Sequence, residues 1–180
     1  PPSCLTTIWG ANNTFVEKYL TRFPGYYETG DAGYLDDDGY IYIMARTDDV
    51  INVAGHRLST GQIEEVISEH PDVAECAVIG INDDLKGQIP ISLVCLYPDT
   101  QNSETKICEE IVQLVINKVG RVSSLKKVVI IDRLPKTRSG KIVRSTMVKI
   151  ANQEKWMIPA TIEDATVLDE ISRALEKQLL

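Results

Sequence analysis

The sequence predicts an α+β fold. Three observations carry that expectation: strand-type and helix-type apolar patterns alternate after Val50, an acidic turn cluster divides two β-rich runs before it, and two later stretches repeat apolar residues at helical spacing. With 180 residues and 43% hydrophobic content the chain can bury a core of its own, in one or two domains.

Taken in order, residues 12–20 place Phe15, Val16, Tyr19 and Leu20 behind capping-type residues, which predicts a short helix stopped by Phe23-Pro24-Gly25. Runs at 33–35 and 40–44 flank Asp36-Asp37-Asp38-Gly39 and predict a β-hairpin. The three aspartates also admit a metal-loop reading, but no further ligands follow at calcium-loop spacing. The pattern changes at Asp48, where a domain boundary is expected. Residues 50–53 and 56–58 predict a second hairpin about Ala54-Gly55, and Thr60 opens a helix through Ile63, Val66 and Ile67 that ends by Pro71. Residues 73–81 and 89–97 read as strands separated by a polar turn. Residues 103–118 carry Ile107, Ile111, Leu114, Val115 and Lys118 at helical spacing before Gly120. A strand at 128–131 and a terminal helix over 164–179, with Val167, Leu168, Ile171, Leu175 and Leu179 on one stripe, complete the reading.

The formal charge is -7 and the pI about 4.9, which argues against a general nucleic-acid or anionic-membrane partner. No apolar run approaches the roughly 20 residues needed to span a bilayer. Cys4, Cys76, Cys95 and Cys108 show no paired metal-ligand or redox spacing and read as ordinary thiols of a reducing compartment. His56 and His70 have no visible partners for catalysis or metal binding.

One window reverses the overall charge. Residues 126–149 carry Lys126, Lys127, Arg133, Lys136, Arg138, Lys141, Arg144 and Lys149 against Asp132 alone, so positive charge is concentrated locally. This suits a small phosphorylated ligand better than a long polyanion; a solvated basic face is the plainer alternative. Within it, Leu134-Pro135-Lys136-Thr137-Arg138-Ser139-Gly140-Lys141 presents a lysine amine beyond a glycine turn.

Four segments stand in order along the chain: Tyr27-Glu28-Thr29-Gly30-Asp31, Arg46-Thr47-Asp48-Asp49, Asn52-Val53-Ala54-Gly55-His56-Arg57, and Pro135 through Lys141. Together they resemble the AMP-forming acyl-CoA synthetases of the adenylate-forming superfamily, and within it the short-chain acetyl- and propionyl-CoA synthetases. The family has a large N-terminal domain with a Gly-, Ser- and Thr-rich phosphate loop, followed by a small mobile lid. No such loop is present here. The resemblance therefore implies the C-terminal end of the adenylation domain over residues 1–47, a complete lid with a mixed sheet and flanking helices over 48–162, and a C-terminal helix over 163–180.

The implied reaction joins a short carboxylate, propionate or acetate, to ATP as acyl-AMP and passes the acyl group to CoA, with Mg accompanying ATP. By motif match Lys141 is catalytic, stabilising charge on the α-phosphate, and the small Ser139-Gly140 lets its backbone approach the ligand. Asp31 and Arg46 would bind the ribose, and Arg57 would sit near phosphate. Asp48 matches the hinge, and Ala54 and Gly55 match the turn lining the CoA pantetheine tunnel. Local roles as turn residues and surface charges are the alternatives for these positions. The chain departs from its acetyl-type relatives at Ile116, where they offer an arginine to CoA phosphate; Lys118 or Arg121 could substitute. Taken by itself, the chain is expected to be inactive for want of the N-terminal domain. The location expected by family is the mitochondrial matrix or the cytoplasm. A second class of reading is a non-catalytic module that docks on a full-length synthetase through exposed apolar area near residues 1–25.

Overall fold

The chain divides between Thr47 and Asp48. The computed structural model describes residues 3–179, without the side chains of Met44, Ala45, Asp48 and Leu179.

The first unit holds helix α1 (Asn12–Tyr19) and an antiparallel pair, β1 (Asp31–Leu35) and β2 (Ile41–Arg46). Phe15 is its one buried hydrophobe among the described residues; its ring lies 5.6 Å from that of Tyr19, which stacks on Tyr27 at 5.1 Å. The acidic turn is held from within, because Asp36 Oδ1 accepts from the N–H groups of Asp38 at 3.1 Å and Tyr40 at 2.8 Å. A bulge between Ala32 and Gly33 breaks the register. Tyr34, Leu35, Tyr40, Ile41 and Ile43 are exposed. A two-stranded sheet with little buried apolar surface has marginal stability by itself.

The second unit opens within a 3-10 turn at Thr47–Asp49. It comprises β3 (Val50–Val53), β4 (His56–Ser59), α2 (Thr60–Ile67), β5 (Val73–Asp83), β6 (Gly87–Leu96), α3 (Glu104–Lys118), β7 (Lys127–Ile130), α4 (Arg144–Ala151) and α5 (Thr166–Leu179). The five-stranded sheet runs β4-β3-β6-β5, with β7 beside β6. All pairings are antiparallel except β6 with β7, so the sheet is mixed.

Strand alternation sorts the core into two layers. Ala77, Ile79, Ile81, Ile91, Leu93 and Cys95 point to one face, where α4 and α5 supply Met147, Ile150, Leu168, Ile171 and Leu175. Cys76, Val78 and Val94 point to the other, where Ile63 and Ile67 of α2 and Ile107, Ile111 and Val115 of α3 cover them. A sheet covered on both sides needs apolar residues at successive positions, which is why β5 and β6 read as near-continuous apolar runs. Ser103 caps α3 by accepting from the Lys106 N–H. Lys118, expected on the apolar stripe of that helix, is instead exposed and ion-paired to Glu69, because the buried stripe ends at Val115.

Helix α4 has no counterpart in the sequence reading. Its eight residues include the β-branched Thr146, Val148 and Ile150, and so short a segment has weak helix propensity. Burial of Thr146, Met147 and Ile150 supplies what local preference does not.

Candidate active site

The segment carrying Lys141 is a tight hairpin anchored at both ends. Leu134 and Val143 are buried, and the Val143 N–H donates to Pro135 O at 2.9 Å. Lys136 bridges Ile142 in antiparallel fashion. At the tip, the Thr137 N–H donates to Lys141 O at 2.8 Å and the Gly140 N–H to Thr137 O at 2.8 Å. The Lys141 N–H in turn donates to Thr137 Oγ1 at 3.1 Å. Gly140 turns the chain at φ +80°, where a side chain would be strained. A third segment lines the outer edge: Thr137 bridges Ile162, the Arg138 N–H donates to Thr161 O at 3.1 Å, and the Glu163 N–H donates to Lys136 O at 2.9 Å.

The folded chain divides the basic window into neutralised and available charges. Lys136 pairs with Glu75 at 2.6 Å, and Arg133 with Asp164 at 2.6 Å and Glu170 at 3.0 Å. Arg144 meets both carboxylate oxygens of Glu64 through Nη2 at 2.9 Å, while the Val78 N–H donates to the same carboxylate at 2.7 Å. Lys127 donates to Gln178 O. Arg138 and Lys141, exposed at the hairpin tip, pair with no acid among the described residues. The Thr166 N–H and hydroxyl, and then the Arg133 guanidinium, hold the Asp164 carboxyl at about 2. Hydrogen bonds from Arg133 likewise lower Glu170, and its two acids raise Arg133 itself.

In the first unit Asp31 and Arg46 face each other across β1 and β2, with Arg46 Nη1 at 3.3 Å from Asp31 Oδ1 and at 2.9 Å from Thr29 O. The Thr47 N–H donates to Gly30 O at 2.8 Å, which ties the turn before β1 to the end of β2. Gly30 has φ +76°, and a Cβ there would stand 2.9 Å from Arg46 Nη2. The Asp31 side chain keeps 34% of its surface exposed, enough for its carboxylate to accept further donors.

Ala54 and Gly55 form the β3–β4 turn with φ of 48° and 87°, and the Ala54 N–H donates to Lys86 O at 2.8 Å. Arg57 is exposed on β4, opposite Asn52. The Asp48 backbone lies in the 3-10 turn, while its side chain is outside the described residues. Ile116 is half-buried on α3; with Lys118 held by Glu69, Arg121 is the exposed cation just beyond that helix. His70 is buried, its Nδ1 accepting from the Asp72 N–H and its Nε2 lying 3.1 Å from Glu110 Oε2, so this ring ties a loop to α3. Burial pushes the Cys76 and Cys108 thiols up, and takes Cys95 to about 11.

Sequence reasoning passed over Thr137 and Glu64. A hydroxyl four positions before a lysine, with glycine between them, is a usable signal for the first. Glu64 has none, because its partners Val78 and Arg144 are distant in sequence.

Residues 62–141 match the family model of the AMP-binding enzyme C-terminal domain, a match that closes on Lys141. The domain and its flanks are 52% identical, over 97% of this chain and 28% of the relative, to an uncharacterised protein of Pseudomonas aeruginosa. They are 46% identical, over 99% of this chain and 26% of the relative, to the mitochondrial acyl-CoA synthetase short-chain family member B of Dictyostelium discoideum. The chain thus spans about a quarter of the length of these relatives. Among solved structures, the acetoacetyl-CoA synthetase of Streptomyces lividans shares the fold at a TM-score of 0.75 and 20% identity, over 92% of this chain and 25% of that one. An anthranilate CoA ligase in complex with anthranoyl-AMP matches at a TM-score of 0.61 and 31% identity, over 74% of this chain and 26% of that one. The mixed sheet with flanking helices is the architecture of the C-terminal domain of adenylate-forming enzymes.

Proposed function

We propose that the chain is the C-terminal part of an AMP-forming, short-chain acyl-CoA synthetase. Residues 1–47 would close the adenylation domain, 48–162 would form the lid and 163–180 its terminal helix. The observation that carries this reading is Lys141: an exposed ammonium without an acidic partner among the described residues, at the tip of a closed hairpin where the family match ends. The acyl-CoA synthetase names of the relatives support the reaction class.

In the first step a carboxylate oxygen of propionate or acetate attacks the α-phosphorus of ATP and pyrophosphate leaves. Lys141 would donate to the oxygens on which charge builds, from a backbone that needs no rearrangement to do so. Asp31 would accept from the ribose hydroxyls while Arg46 holds it in register, and Arg57 would reach phosphate. Magnesium would arrive with ATP. In the second step the CoA thiol attacks the acyl carbonyl and AMP leaves; the Ala54-Gly55 turn would border the pantetheine path and Asp48 would take up the torsion between the two poses. Mitochondrial relatives support a mitochondrial location, with the cytoplasm as the alternative.

The test joins this chain to the preceding region of the Pseudomonas relative and measures ATP–pyrophosphate exchange with propionate and with acetate. Exchange that depends on Lys141 is the expected result. Undiminished exchange by the Lys141→Ala enzyme sinks the reading.

A second reading, a non-catalytic module that docks on a full-length synthetase, draws on the exposed Leu5, Trp9, Phe23 and Tyr26 of the first unit. Co-migration of the separate chain with a full-length synthetase on gel filtration would support it.

A further inference from the structure

Residues 161–170 lie beyond the matched domain, yet they form one wall of the hairpin that carries Lys141. The wall has two parts. In the first, Thr161, Ile162 and Glu163 run antiparallel to Lys136, Thr137 and Arg138, and Ile162 is buried in the core beneath them. In the second, the Arg133 guanidinium gathers three side chains around the start of α5. Nη1 donates to Asp164 Oδ2 at 2.6 Å, Nη2 donates to Thr166 Oγ1 at 2.8 Å and Glu170 Oε1 at 3.0 Å, and Nε donates to Glu170 Oε2 at 3.3 Å. Asp164 completes the closure, since its Oδ1 accepts from both the N–H and the hydroxyl of Thr166.

Arg133 stands just before the hairpin, and Asp164 just after the segment that pairs with it. The cluster therefore fixes both strands at the same end. A guanidinium that donates to two carboxylates and a hydroxyl is over-determined in position, and its planar fork resists the rotation that a lysine would permit. The depressed Asp164 and Glu170 carboxyls agree with that geometry.

We infer that Arg133, held by Asp164, Thr166 and Glu170, is a positioning residue for Lys141: it clamps residues 161–163 against the hairpin so that the ammonium is presented at one height and angle. This rests on the proposed role of Lys141 in acyl-adenylate formation. The consequence is specific to one half-reaction. A displaced Lys141 slows adenylate formation, whereas thioester formation from supplied acyl-AMP does not use that ammonium and proceeds at its former rate.

The experiment uses the joined full-length enzyme with Arg133→Ala, Arg133→Lys and the milder Glu170→Gln, with Lys141→Ala alongside. Each is assayed for ATP–pyrophosphate exchange and, separately, for thioester formation from synthetic acyl-AMP and CoA. The inference expects Arg133→Ala to lose roughly tenfold to a hundredfold in exchange, the scale of a misplacement near 1 Å, with thioester formation unchanged. Glu170→Gln should lose less in the same direction, and Arg133→Lys should restore only part. Exchange within twofold of the parent for both Arg133→Ala and Glu170→Gln overturns the inference. An equal loss of both half-reactions also overturns it, since that is the mark of general unfolding. If Arg133→Ala does not fold, Glu170→Gln alone decides by the same two rates. Failure of Lys141→Ala to slow exchange would instead count against the proposed function, so the two failures are separable.

Discussion

Thr137 holds Lys141 in both directions at once: its N–H donates to the lysine carbonyl at 2.8 Å, and its hydroxyl accepts from the lysine N–H at 3.1 Å. The same hydroxyl lies 3.0 Å from Ser139 Oγ. A threonine there closes the turn through backbone and side chain together, and leaves the ammonium outside the network.

Thr137→Val keeps the shape and β-branching but removes the acceptor. The expected cost is about 1 kcal/mol of stability, the ordinary worth of one hydrogen bond, read as a lower urea midpoint at unchanged m-value. Adenylate formation in the joined enzyme should fall with it, and a variant as active and as stable as the parent would show the hydroxyl to be idle.

Lys141→Ala should slow acyl-adenylate formation by roughly a hundredfold to a thousandfold, the scale seen when one preorganised donor to a developing charge is removed. Lys141→Arg should recover little, because a planar fork does not occupy the place of a compact ammonium. Single-turnover kinetics with propionate separates the chemical step from product release.

Gly30→Ala acts on the other unit. The left-handed backbone costs about 1–2 kcal/mol with a side chain, and the new methyl would push against the Arg46 guanidinium. The KM for ATP in the joined enzyme should rise as the Asp31–Arg46 pair is displaced. An unchanged KM would remove the pair from the nucleotide site.

Asp164 sets a pH dependence whose sign follows from its lowered carboxyl. The folded value is about 2, below the ordinary aspartate value near 3.9, so its contribution is fully present above pH about 4 and is lost as pH falls toward 2. Thermal melts between pH 2 and pH 5 should show a steeper acid decline for the parent than for Asp164→Asn. Parallel curves would mean that the cluster adds nothing to acid stability.

Cys95 should resist alkylation in the folded chain. With its thiol near 11, roughly one part in a thousand is thiolate at pH 8, and the rate should rise about tenfold per pH unit above that. Intact mass after timed iodoacetamide treatment gives the answer, and rapid labelling of Cys95 at pH 7 would contradict its buried environment.

Residues read in contiguous order determined much of this protein. The apolar runs of β5 and β6, the helical stripes of α3 and α5, and the glycine turns of both hairpins each depend on neighbours within a few positions, so their periods and turn residues were legible. So were the four ordered motifs that singled out Asp31, Arg46 and Lys141. The folded chain decided the rest. It made α4 from a segment of weak local preference by burying Met147 and Ile150, and it chose which cations of the basic window stay available. Asp164 and Glu170 lie 31 and 37 residues from Arg133, Glu75 lies 61 from Lys136, and Glu64 lies 80 from Arg144 along the chain. Ion pairing depends on distance through space, and no period or spacing within the window carries that distance.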